Sequence, residues 1–117
     1  MSLEALRAEL GDIPQEADPA LVRQKSRDFF WYSPVLKARL NRKSADLVVA
    51  PRDEAELVRT LGACARHRVP VTARGGGTGN YGQAVPLEGG VLLDLGALNA
   101  IEWHRPGVVR AAAGTRL

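Results

Sequence analysis

Ten consecutive residues, Arg74-Gly75-Gly76-Gly77-Thr78-Gly79-Asn80-Tyr81-Gly82-Gln83, hold the chemistry this 117-residue sequence makes most available. Gly75, Gly76 and Gly77 have no side chains, so their peptide N–H groups can converge on one ligand. Such a run is a nest for an anion, for example a diphosphate. Thr78 adds a hydroxyl, Asn80 an amide and Arg74 a cation, a set that suits pyrophosphate. Left-handed backbone is expected at several of these positions. On that expectation Gly76→Val crowds the nest and abolishes ligand retention, because a β-branched residue adopts positive φ only at a cost.

Two better-known phosphate motifs do not fit. Gly77-Thr78-Gly79-Asn80-Tyr81-Gly82 has the form G-x-G-x-x-G, whose third glycine belongs inside an opening helix. Pro86, Gly89 and Gly90 leave no room for that helix. The acid expected about twenty residues on would fall near Ala97, which is not acidic. A P-loop needs Gly-Lys followed by Ser or Thr, and no lysine occurs after Lys43.

The elements around the loop follow from periodicity and punctuation. Pro70–Arg74 and Gly90–Leu95 are apolar runs predicted as strands before and after it. Leu47–Ala50, closed by Pro51, is another strand. Asp53–His67 is predicted as a helix, with Asp53 and Glu56 spaced as a capping box and Leu57, Val58, Leu61, Cys64 and Ala65 as its apolar stripe. Arg66, His67 and Arg68 at its end complement the helix dipole. Strand, helix, strand over Leu47–Arg74 is a βαβ unit with parallel strands and a right-handed crossover. The glycine loop then lies at the carboxyl end of a strand, where ligands of α/β sheets bind. Ile101–Trp103 and Val108–Ala113 form a hairpin across His104-Arg105-Pro106-Gly107.

The N-terminal segment is less plainly patterned. Ser2–Leu10 is predicted as a helix capped by Ser2 and ended by Gly11. Gly11–Ala17 reads as a loop. Asp18-Pro19 starts a helix expected to run to about Tyr32, with Leu21, Val22 and Phe29 as its stripe and Ser33-Pro34 as its stop. Phe29, Phe30, Trp31 and Tyr32 point in every direction on a helix, so some must pack on the body or on a partner. Lys37, Arg39, Arg42 and Lys43 form a basic cluster that reads as a solvated face.

Composition narrows the function classes. Hydrophobic content of 45% with 25% charged residues is that of an ordinary globular chain. The net charge of +3 is spread along the chain, which argues against nucleic acid. One cysteine, Cys64, excludes an internal disulfide and suits the cytoplasm. It sits in a helical stripe and reads as core. No apolar run reaches a membrane span of roughly 18 residues, and the first residues lack the apolar stretch of a signal peptide.

Arg74–Pro86, RGGGTGNYGQAVP, resembles the FAD-pyrophosphate loop of the vanillyl-alcohol oxidase / p-cresol methylhydroxylase flavoprotein family, in the branch of glycolate oxidase and D-lactate dehydrogenase-like enzymes. Leu47–Glu56, Val91–Leu98 and Val108–Gly114 resemble its flanking segments, so the likeness covers about Asp46–Leu117. It implies an α+β fold: the first subdomain of a p-cresol methylhydroxylase-type FAD-binding domain, a small sheet with a βαβ core preceded by N-terminal helices. Residues 1–45 are then an N-terminal helical and basic segment, and 46–117 an incomplete FAD-binding domain. Arg74 to Asn80 carry over as FAD-binding, mostly through N–H groups, followed by Tyr81, Gly82 and Gln83. Threonine stands at 78 where some members attach FAD through histidine, which implies non-covalent FAD at this loop. The implied activity is oxidation of a 2-hydroxy acid or related alcohol, with hydride transfer to flavin N5. Catalytic residues, a substrate-binding part and the ring's main support are expected outside this stretch, on a missing C-terminal part or a partner chain. Two alternatives stay open: a non-catalytic module binding through the basic and aromatic N-terminal segment, and a phosphate or nucleotide binder without flavin.

Overall fold

The computed structural model describes residues 2–116; Met1 and Leu117, the outer ends of the two expected divisions, lie outside them. Helix α1 spans Leu3–Leu10. The Ser2 hydroxyl accepts the Ala5 N–H, and Gly11, at φ 60, ends the helix. A short strand β1, Gln15–Glu16, precedes helix α2, Pro19–Lys25, which Asp18 caps by accepting the Leu21 N–H. A 3-10 turn at Phe30–Tyr32 leads into helix α3, Pro34–Leu40. Strand β2 (Leu47–Val49), helix α4 (Glu54–Arg66), strands β3 (Val71–Arg74) and β4 (Val91–Asp94), and a hairpin of β5 (Ile101–Arg105) and β6 (Val108–Ala111) follow.

The main sheet has the order β1-β2-β4-β3. β2, β4 and β3 are parallel, with Leu47 and Val71 both beside Val91, while β1 runs antiparallel to β2. Successive side chains of a strand face opposite ways, so the sheet carries two apolar faces. Leu47, Val49 and Val91 pack with Leu6 and Leu10 of α1 and Ala63 and Cys64 of α4. Val48 and Leu92 pack with Val22 of α2 and Ala45. The result is a mixed α/β fold with helices on both faces of a small sheet. Residues before 46 share its core with those after.

Three expectations in the N-terminal segment need correction. The loop expected at Gly11–Ala17 contains β1; two polar residues, Gln15 and Glu16, pair through their backbone and carry no apolar signal. The helix from Pro19 stops at Lys25, not near Tyr32. Arg74 Nη1 donates to the Lys25 and Arg27 carbonyls, and the Ser26 hydroxyl donates to the Val22 carbonyl while accepting the Ala45 N–H, so tertiary partners end the helix. Val22 and Phe30 are buried as a result, while Leu21 and Phe29 are exposed. Ser33-Pro34 opens α3 instead of closing a helix: Ser33 caps and Pro34 takes the first turn. In the sheet, β2 and β3 are parallel as expected, with β4 between them.

Helix α4 begins on Asp53, whose carboxylate accepts the Glu56 N–H. Its buried face differs from the apolar stripe. Glu56, Thr60, Ala63 and Cys64 are buried, and Val58 and Leu61 are exposed. Small residues let α4 approach α1 closely, and the polar ones are satisfied. The Thr60 hydroxyl donates to the Glu56 carbonyl at 2.8 Å. The Glu56 carboxylate accepts the Arg52 N–H at 2.8 Å and the Arg52 guanidinium at 2.6 Å. The hydrogen bond from Arg52 lowers the Glu56 pKa to about 2. Cys64 is buried and free, and burial pushes its thiol up. His67 closes α4 and meets Glu9 of α1 at 2.7 Å.

Candidate functional site

The connection from Gly75 to Gly90 joins two adjacent parallel strands and contains no helix. Parallel neighbours need a crossover of roughly a dozen residues or more, usually helical; structureless connections of this length in compact domains tend to be functional. Its start lies at the carboxyl end of the sheet. A cleft of ≈ 240 Å³ there is lined by Ala50 after β2, Arg74 at the end of β3 with Gly75 and Gly76 after it, and Asp94 at the end of β4 with Gly96 beyond. Lys25 and Arg116 also line it, with Ala97 and Gly114. On the other side of the loop, ≈ 350 Å³ is lined by Gly77, Thr78, Gly79, Gln83 and Asp28.

The N–H groups of Gly75, Gly76, Gly77, Thr78, Gly79 and Asn80 donate to no protein acceptor among the described residues. The next two are tied: Tyr81 N–H donates to Gln83 Oε1 at 3.2 Å and Gly82 N–H to Asp28 Oδ2 at 2.9 Å. The ten residues singled out from the sequence therefore divide. Six offer N–H groups without a protein acceptor, Tyr81 and Gly82 are anchored, Gln83 is an anchor, and Arg74 ties the start of the loop to residues 25–27.

Arg74 has a structural task that spacing does not show. Its Nη1 donates to the Lys25 carbonyl at 2.5 Å and the Arg27 carbonyl at 2.6 Å. Its guanidinium lies against the Cα of Gly77, which has φ 69; a Cβ there would collide with it. Gly76, by contrast, lacks left-handed backbone, and a Cβ on it would meet only the Thr78 methyl at 3.7 Å. The expectation for Gly76→Val thus fails in its reason, and the constrained position is Gly77.

Charge at the cleft is mixed. Asp94 pairs with Lys25 at 3.0 Å and accepts the Gly96 N–H at 3.0 Å. Burial pushes the Asp94 carboxyl up, but the Gly96 N–H and the Lys25 ammonium outweigh it and hold the pKa below its ordinary value. Gly75, Gly76, Arg74, Lys25 and Arg116 around one cleft favour an anionic ligand. Thr115 and Arg116 line a further opening with Gly76 and Thr78. The Thr115 hydroxyl oxygen is buried and has no hydrogen-bond partner among the described residues. Open donors beside an unpartnered hydroxyl fit a diphosphate-bearing cofactor. The largest concavity described, ≈ 570 Å³ along α1 and Asp12, shows no comparable set of donors.

Sequence reasoning missed Lys25, Asp28, Asp94, Thr115 and Arg116. Asp94 closes an apolar run at a strand's carboxyl end, which was a usable signal. The others reach the loop only through tertiary folding.

Residues 45–117 match the family model described as FAD binding domain. Glycolate oxidase subunit GlcD of Bacillus subtilis is 45% identical over 56 residues, 48% of this chain and 12% of that protein. GlcD of Escherichia coli K12 is 47% identical over 55 residues, 47% of this chain and 11% of that protein. The mitochondrial D-lactate dehydrogenase [cytochrome] of Arabidopsis thaliana is 33% identical over 57 residues, 49% of this chain and 10% of that protein. The matched stretch thus spans about a tenth of each relative. An alkyldihydroxyacetonephosphate synthase structure superposes with a TM-score of 0.73 at 19% identity, over 91% of this chain and 23% of that one. A chitooligosaccharide oxidase gives 0.69 at 18%, over 97% and 24%. These structures share the fold. Among the described residues no helix is long and apolar enough to cross a membrane. With more than half its length matched by the family model, this chain belongs to the FAD binding domain family.

Proposed function

We propose that the chain is the diphosphate-gripping segment of a flavin-dependent oxidoreductase, and that the peptide N–H groups of Gly75–Asn80 hold the FAD diphosphate. The observation behind this is the run of six consecutive open N–H groups beside a mostly cationic cleft. Such donors bind an anion with little reorganisation, since no internal hydrogen bond has to break first. Arg74, Gln83, Tyr81 and Gly82 act as the frame of that grip. Thr78 offers a hydroxyl, so FAD is held here without a covalent bond. Bound FAD supplies the two-electron oxidation of an alcohol carbon; the chain binds and orients it.

The substrate class is a 2-hydroxy acid, as the names of the glycolate oxidase and D-lactate dehydrogenase relatives suggest. Residues 46–117 form the family segment and 1–45 its helical support. A buried free thiol at Cys64 suits the cytoplasm. The exposed aromatics Phe29, Trp31 and Tyr32 and the apolar hairpin face of Ile101, Trp103 and Val109 suit the remainder of such an enzyme or a partner chain. The same aromatics support a second reading, a non-catalytic binding module.

Flavin fluorescence during titration of FAD into the purified chain, with ADP and riboflavin in parallel, tests the proposal. Saturable binding of FAD and ADP with riboflavin inert is the expected result. Binding of ADP with FAD rejected would favour a nucleotide binder without flavin. Absence of binding by a folded chain would refute the grip and favour the module.

A further inference from the structure

We infer that Asp28 is a positioning residue for the glycine loop, fixing Gly79–Gly82 so that the N–H groups ahead of it face outward; this rests on the diphosphate reading above. Asp28 is 6% exposed. Its Oδ1 accepts the Phe30 N–H at 2.8 Å, and its Oδ2 accepts the Gly82 N–H at 2.9 Å across 54 positions of sequence. Among the described residues no cationic nitrogen lies within ion-pair distance of it. A buried carboxylate without a cation is costly to desolvate. Two charge-assisted bonds to peptide N–H groups are what offset that cost here. Because its charge would repel a diphosphate, its place beside the loop is explained by geometry.

A second contact shows what the geometry achieves. The Phe29 N–H donates to the Gly79 carbonyl at 2.9 Å. All described peptide bonds are trans. In a planar trans peptide the carbonyl and the following N–H point opposite ways. Drawing the Gly79 carbonyl toward Phe29 therefore turns the Asn80 N–H away from it, into the open set. Asp28 then pins the chain three residues beyond Gly79, at Gly82, where φ is 79. The approach is close: a Cβ on Gly79 would stand 3.3 Å from Asp28 Oδ2 and 2.6 Å from Gln83 Oε1, so the Gln83 side chain would have to move aside. Arg74, bound to the Lys25 and Arg27 carbonyls, fixes the start of the loop to the same stretch. Residues 25–30 thus clamp both ends of the open N–H run, and they lie outside the matched 45–117.

Asp28→Ala removes both acceptors. Asp28→Asn removes the charge and keeps one. Leu10→Ala is the control, because it loosens a core cluster that contains no residue of the loop. FAD and ADP affinities of the full chain and its variants are measured where circular dichroism shows each folded, and exchange of the Gly82 amide is followed by NMR. Expected are a loss of at least about tenfold in Asp28→Ala, consistent with lost charge-assisted bonds, an intermediate loss in Asp28→Asn, and near-normal affinity in Leu10→Ala. The Gly82 amide exchanges slowly in wild type and Leu10→Ala and fast in Asp28→Ala. Wild-type affinity in Asp28→Ala, or an equal loss in Leu10→Ala, overturns the inference. If wild type binds neither nucleotide, the diphosphate reading fails on its own, and Gly82 exchange decides whether Asp28 sets the loop: faster exchange in the variant supports it, unchanged exchange overturns it. Should Asp28→Ala not fold, Asp28→Asn carries both readouts.

Discussion

Gly75–Asn80 and Tyr81–Gly90 belong to one connection and are both glycine-rich, yet their N–H groups meet different fates. In the first stretch all six lack a protein acceptor among the described residues. In the second the run is broken: Tyr81, Gly82, Val85 and Gly90 donate to Gln83, Asp28, the Gly82 carbonyl and Asp46, while Gln83, Ala84, Leu87, Glu88 and Gly89 find no protein acceptor among the described residues. Gly90 has φ 77, and a Cβ on it would strike the Pro70 carbonyl. Glycine serves ligand access in one stretch and close backbone packing in the other. Glycine content alone therefore does not locate a nest; the unbroken run of six unpartnered N–H groups at the carboxyl end of the sheet does.

Substitutions can break this contrast. The largest expected effect is on binding in Gly77→Val, where positive φ and the Arg74 guanidinium both oppose a side chain. FAD affinity should fall on the order of a hundredfold or more, equivalent to nearly 3 kcal/mol, with Gly76→Val losing far less. Equal losses in the two would remove the distinction drawn between them. Gly90→Ala should act on stability instead. Left-handed backbone costs about 1–2 kcal/mol for a residue with a Cβ, and the clash at Pro70 adds to it. Thermal unfolding should show a midpoint lower by roughly 5–15 °C, with FAD affinity of the folded protein retained. Arg74→Ala should lose some of both, since it frees the Lys25 and Arg27 carbonyls. A charged hydrogen bond contributes about 1.5–3 kcal/mol, reduced here by solvent access, and parallel melting and titration would separate the two losses.

The smallest effect concerns pH. Arg52 holds the folded Glu56 pKa at about 2, below the ordinary 4.5. A depressed carboxyl stabilises the fold above the unfolded value, and that contribution is lost as pH falls from 4.5 toward 2. Glu56→Gln should flatten stability across that window in acid melts. An unchanged slope would mean that the pair does not govern it.

The loop, its flanking strands, the hairpin and the capped helices α1 and α4 were legible in the sequence because each rests on local chemistry. Asp53, Ser2 and Gly11 act on their own neighbours. The stop of α2 was not legible, since Arg74 caps its carbonyls from 49 positions away. Nor was the buried face of α4. Ala63 and Cys64 pack on α1 because close approach favours small side chains, Thr60 is buried beside them in sequence, and the larger Val58 and Leu61 are left outside. Asp28 gave no signal at all: a carboxylate before an aromatic run becomes part of the site only when Gly82 folds onto it.

An NMR titration of the labelled chain with ADP tests the central claim most directly, amide by amide. Saturable downfield shifts confined largely to residues 75–80, with Tyr81 and Gly82 hardly moving, are the predicted result. Shifts elsewhere in a folded chain, or none at saturating ADP, would contradict the assignment of these N–H groups to a diphosphate.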